Sequence, residues 1–171
     1  GYLQVSFRSG WSVRPFDFKR FDQLYDLRIV LELAAVKQLC EAESAPDIGP
    51  LLDVWAIPEG ERLTDGNQVW ALDEAFHHQL ILATGNLEMA RVHQEVTEKI
   101  RIIRRLDFTQ ASRVDITYDE HREILRLIAQ RKAAQAAIAI RSHIEASKAE
   151  VHKITLPMLH EAKQRVQAGA A

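Results

Sequence analysis

Val69-Trp70-Ala71-Leu72-Asp73-Glu74-Ala75-Phe76-His77-His78-Gln79-Leu80-Ile81 sets the pattern for most of the chain. Val69, Trp70, Leu72, Phe76, Leu80 and Ile81 recur at three- and four-residue spacing, so the segment predicts an amphipathic helix. Asp65-Gly66-Asn67 reads as its capped entry and Thr84-Gly85-Asn86 as its stop, with Gly85 a natural C-terminal cap. Asp73 and His77 stand one turn apart and differ by about 40° around the helix axis, so both can reach one ion. Neighbours on a helix splay by about 100°, so His77, and not His78, shares a face with Asp73.

The same period extends in both directions. Phe21, Leu24, Tyr25, Leu27, Val30, Leu31, Ala34, Ala35 and Leu39 mark a first helix from Phe18 to about Glu43. A shorter helix carries Leu51, Val54 and Trp55. Beyond Asn86, a fourth helix runs from Leu87 to about Leu106. Asp107 to Thr117 reads as a polar connection, and His121 then opens a helix through Ile124, Leu125, Leu127 and Ile128. An Ala-rich last helix holds Ala137, Ile140, His143, Ile144 and Val151 until Pro157 ends or kinks it, and a short helix to Val166 follows. The expected fold is all-α, an antiparallel bundle of six to seven helices around a central metal and effector pocket.

Residues 1–17 differ from the rest. Tyr2 to Phe7 is β-prone and Ser9-Gly10 breaks it, so the segment reads as one strand whose partners are absent. The helical unit is expected to occupy residues 18–171.

With 171 residues, 47% hydrophobic and 27% charged, the chain has the composition of a single globular domain. A net charge of -2 gives no global attraction to nucleic acid or anionic membrane. Cys40 is the only cysteine, which rules out an intrachain disulfide and suits a reducing cytoplasm. No apolar run approaches the length of a membrane span, and no signal peptide is visible.

Asp73, His77, His121 and His143 lie on or beside apolar stripes of three helices. One carboxylate and three imidazoles facing a bundle interior suit a divalent transition metal such as zinc or nickel. The alternative is four separate hydrogen-bonded core groups. His78, His93, His152 and His160 fit that plainer description, since none has a partner at ligand spacing. Glu74-Ala75-Phe76-His77 is a single Glu-x-x-His; the second copy that a di-iron bundle needs is missing, with Tyr118 and Ile140 three residues before His121 and His143. No zinc-protease motif, phosphate loop or nucleophile elbow is present. An enzyme acting on a small carboxylate through the same four residues is the alternative to a sensor.

Taken in order, Y-D-L-R-I-V-L-E-L-A-A-V, D-E-A-F-H-H-Q-L-I-L-A-T-G-N, D-E-H-R-E-I-L and R-S-H-I-E resemble the ligand-sensing C-terminal (FCD) domain of FadR-type regulators in the GntR family. The resemblance spans roughly residues 20–150. It implies a metal held by Asp73, His77, His121 and His143, and places the chain with the metal-binding branch. It also implies a small organic acid beside the metal, gripped by an arginine. Arg28 matches the arginine of the family's first helix, and two partners suit it: an anionic effector, or Glu32 four residues on. Asn86 and Arg104 are further pocket candidates, although Asn86 can equally follow the Gly85 cap and Arg104 can face solvent. The family places a winged helix-turn-helix domain ahead of this one; residues 1–17 would be the remnant of its last wing strand and a linker. The resemblance therefore implies a cytoplasmic, homodimeric regulator domain that reaches DNA only through the missing N-terminal domain.

Overall fold

The computed structural model describes residues 3–6, 10–13, 17–105, 107–109 and 111–168. Six α-helices make up most of it: α1 (Phe18–Glu41), α2 (Gly49–Trp55), α3 (Gly66–Leu82), α4 (Leu87–Arg104), α5 (Ala111–Ala129) and α6 (Ala133–Ala168). Two 3-10 turns, Glu59–Glu61 and Asp107–Thr109, precede α3 and α5.

The caps lie where the polar residues predict them. Asp17 accepts from Arg20 N, Asp65 from Asn67 N and Asn86 from Met89 N, each satisfying an amide that the first helical turn leaves free. Gly85 adopts φ 75°, the left-handed geometry that ends α3. Gly66 is required for a different reason. A Cβ there would lie 2.2 Å from the Phe108 carbonyl oxygen, so the start of α3 presses directly on the turn before α5.

Helix α1 is central and packs against α3, α4, α5 and α6, while α2 lies on α5. Short turns join α3 to α4 and α5 to α6, which makes these neighbours antiparallel. Tyr25, Val36, Trp55, Val69, Phe76, Leu80, Ile124, Leu125, Ile128, Ile140 and Ile144 fill the shared core.

Three expectations need correction. Tyr2 to Phe7 does not yield a strand without a partner: β1 (Leu3–Ser6) pairs antiparallel with β2 (Gly10–Val13), Leu3 opposite Val13 and Ser6 opposite Gly10. Residues 111–117 are helical, so α5 begins ten residues before His121 and His121 lies inside it. Pro157 lies within α6, which continues to Ala168 as one helix. Its missing N–H removes one intrahelical bond, and the helix absorbs that loss.

Candidate metal centre

Helix α3 supplies Asp73 and His77, α5 supplies His121 and α6 supplies His143. All four are buried, none exposed by more than 2%. One donor atom from each lies within 4.8 Å of the others. Asp73 Oδ1 is 3.5 Å from His77 Nε2, 3.4 Å from His121 Nε2 and 3.8 Å from His143 Nε2. His143 Nε2 is 3.1 Å from His77 Nε2 and 3.3 Å from His121 Nε2. Metal bonds of about 2.0–2.1 Å hold tetrahedral donors roughly 3.3 Å apart, so these spacings already match a coordination shell.

The partners of the outer ring nitrogens sharpen that match. His77 Nδ1 donates to Glu32 Oε2 at 2.5 Å, and His143 Nδ1 donates to Glu120 Oε2 at 2.7 Å. A carboxylate oxygen only accepts, so the Glu32 contact assigns the proton to Nδ1 of His77, and at His143 the 2.7 Å contact to Glu120 outweighs the 3.3 Å approach of Arg113 Nη2 and assigns it to Nδ1 there too. Both Nε2 atoms are then bare acceptors. Two lone pairs 3.1 Å apart repel unless a cation lies between them. The donor set therefore fits a divalent ion, with Glu32 and Glu120 as the carboxylates that orient the ligating imidazoles.

His121 is positioned by packing. Its Nδ1 is buried without a partner, while the ring stacks on Phe76 with centroids 3.6 Å apart and meets the edge of Trp55 at 4.2 Å. Trp55 and Phe76 also line an apolar groove of about 480 Å³ between α2 and α3, together with Leu51, Val54 and Leu72.

Charge in the site is balanced internally. Burial alone would raise the Asp73 pKa, but the Arg104 guanidinium beside it holds the carboxyl well below its usual range. Burial would likewise raise that of Glu32, and the Arg28 charge with the hydrogen bonds from His77 and His93 outweighs it. His121 and His143 are pushed well below the ordinary imidazole value, first by burial and then by neighbouring cationic or imidazole groups, so both rings are neutral.

Among the remaining candidates, Arg28 is 1% exposed and its Nε donates to Glu32 Oε1 at 2.6 Å, so the Glu32 pairing is formed. Its Nη2 is buried and unpartnered. Arg104 does not face solvent. It is 2% exposed and pairs with Asp73 Oδ2, leaving Nε and Nη1 buried and unpartnered. Asn86 is exposed and serves as the α4 cap; the structure does not bring it to the buried cluster.

Sequence reasoning missed Glu32 as a partner of His77, and missed Glu120, Arg113 and His93. Arg113 binds Glu120 through Nη1 at 2.9 Å, and His93 Nε2 lies 3.1 Å from Glu32 Oε1. Glu120 has a faint signal, being adjacent to His121. The others are joined to the site by tertiary contacts that no local spacing reveals.

The fold and site define the class as an all-α bundle with a buried Asp/His3 cluster carried on three of its helices. The chain belongs to the FCD domain family, whose model matches residues 23–146. It is 28% identical over 145 residues to the Nta operon transcriptional regulator of Aminobacter aminovorans, covering 85% of this chain and 68% of that one. Among solved structures, a GntR-family transcriptional regulator from Pseudomonas syringae pv. tomato is 24% identical, with a TM-score of 0.61 over 90% of this chain and 64% of the other. The Zn2+-bound FCD domain of TM0439 is 18% identical, with a TM-score of 0.64 over 84% of this chain and 99% of that domain. The chain spans about two thirds of the length of the curated relatives it matches. These relatives are transcriptional regulators, not enzymes.

Proposed function

We propose that this chain is the effector-sensing domain of a bacterial GntR/FadR-type regulator. It binds a divalent transition metal, zinc or nickel, through Asp73, His77, His121 and His143, and a small organic acid beside it. The observation that carries this reading is the convergence of three Nε2 atoms and one carboxylate oxygen within 4.8 Å, with two of the rings locked as Nδ1–H. The metal supplies positive charge and affinity for the oxygens of an acid.

The buried arginines support an anionic effector. Arg28 Nη2 and Arg104 Nε and Nη1 have no partner, and an unsatisfied buried donor costs about 1–3 kcal/mol. A carboxylate would satisfy them. Arg28 lies on α1, the helix next to the hairpin, so an acid that engages it acts on the element nearest the DNA-binding domain that such regulators carry. We read residues 1–17 as the end of that domain's wing and a linker, and the regulator as a cytoplasmic homodimer that binds DNA only through its N-terminal domain.

Metal content by mass spectrometry, on protein purified without added metal, tests the reading. Near-stoichiometric metal that falls sharply in His121→Ala is expected, after which small carboxylates are screened by thermal shift. Wild-type protein that stays metal-free when offered zinc and nickel would sink the assignment.

A further inference from the structure

Glu32 is fully buried on α1 and touches both halves of the proposed site, a metal-binding imidazole and an arginine offered to the acid. Its Oε2 takes the Nδ1–H of His77 on α3 at 2.5 Å. Its Oε1 takes Arg28 Nε at 2.6 Å and faces His93 Nε2 on α4 at 3.1 Å. We infer that Glu32 is a positioning residue that couples metal occupancy to the hold on Arg28. The inference rests on the metal reading above and extends it to regulation of the same site.

The argument is one of shared geometry. A ligating imidazole needs its proton on the outer nitrogen and a fixed ring angle, and Glu32 supplies both for His77. A cation at Nε2 draws electron density from the ring and makes Nδ1–H a stronger donor, which tightens its hold on Oε2. The carboxylate is rigid and planar, so fixing Oε2 fixes Oε1. Oε1 in turn fixes the guanidinium plane of Arg28 and the direction of its unpartnered Nη2. Metal binding on α3, α5 and α6 is thereby transmitted to α1 without a long-range displacement. Arg28 is already aimed by Glu32, and an occupied metal site would hold it more firmly for an acid.

The test uses zinc alone and nuclear magnetic resonance of the intact chain. In metal-free wild type, His77 should show the Nδ1–H tautomer and Arg28 Nε–H a slowly exchanging, hydrogen-bonded signal. Zinc should shift the Arg28 Nε–H resonance in step with the imidazole signals. In Glu32→Gln, zinc affinity measured by competition with a chromophoric chelator should fall roughly 10–100-fold, the range for removing such an orienting partner. Any residual zinc binding should leave Arg28 unmoved. Met89→Ala, which loosens the packing of α4 against Ala35 and Ile81 and removes no polar contact to Glu32, should keep zinc affinity within about threefold of wild type, showing that loss in Glu32→Gln is not general damage to the α1–α4 packing.

Zinc that binds wild type and shifts the histidines while Arg28 Nε–H stays still would overturn the coupling and leave the metal site standing. An Nε2–H tautomer at His77 in the metal-free protein would overturn it without any variant. Failure of wild type to bind zinc at all would instead fall on the metal reading.

Discussion

At the scale of single residues, the site is a set of buried groups whose charge states depend on one another. His121 and His143 are neutral because burial disfavours their charged forms. Their folded pKa values lie below the unfolded value of about 6.5, so the unfolded chain binds more protons as pH falls past that point. Stability of the metal-free protein should therefore be nearly flat from pH 8 to 7 and decline below about pH 6.5. A second decline belongs near pH 4 and below, where the depressed carboxyls of Asp73 and Glu32 lose in the folded state what they gained above their unfolded pKa. Thermal melts of chelator-treated protein across that range check the order; stability that rises between pH 6.5 and 5 would contradict it. Asp73 and His77 were legible in the sequence because i,i+4 spacing is a local property. Arg104 was legible only as a pocket candidate that could equally face solvent, because in the run Arg101-Ile102-Ile103-Arg104-Arg105 nothing local says which cation turns inward. The structure answers by partner: Arg101 pairs with Glu74, Arg105 lies over Trp70 and Arg104 meets Asp73.

At the scale of elements, α5 shows why a helix can be hidden from apolar periodicity. Its buried stripe runs Arg113, Val114, Thr117, Tyr118, His121, Ile124 and Leu125. The spacing is helical throughout, but polar residues carry it where the stripe faces the site, so the first two turns read as a polar connection. The sequence pattern failed where function replaced apolar packing. The α3 start gives a sharp test of how these elements are held together. Gly66→Ala places a methyl 2.2 Å from the backbone oxygen of Phe108, which no side-chain rotation relieves. A cost of about 1–3 kcal/mol is expected, and Tm lower by roughly 2–10 °C. Gly49→Ala is the control, since its Cβ would meet only Asp47 Oδ1 at an ordinary 3.7 Å and should move stability by no more than about 0.5 kcal/mol. Calorimetric melts of the two variants that agree with each other would show that the contact between α3 and the turn at Asp107–Thr109 is not tight.

At the scale of the whole molecule, the cluster joins parts of the chain that sequence keeps far apart. Asp73 and His143 stand seventy residues apart in the sequence, and Glu32 brings in α1. A cation at the cluster is therefore a cross-link between α3, α5 and α6, and it exists only in the folded state, because the unfolded chain does not assemble the four donors. Binding confined to the folded form stabilises it by RT ln(1 + [L]/Kd), about 2.7 kcal/mol when free metal is 100 times Kd. For a chain of this length that corresponds to a Tm increase of roughly 5–11 °C. Chelation of metal-loaded protein should remove that increment and zinc should restore it, with the shift growing as the logarithm of free zinc. His143→Ala should melt at one temperature whether or not zinc is present, because it deletes the α6 ligand while the other three cannot close the shell. The discriminating quantity is the zinc-dependent difference, not the absolute Tm, since truncating a buried histidine lowers stability in any case. An equal zinc shift in wild type and His143→Ala would place the ion elsewhere and detach α6 from the centre.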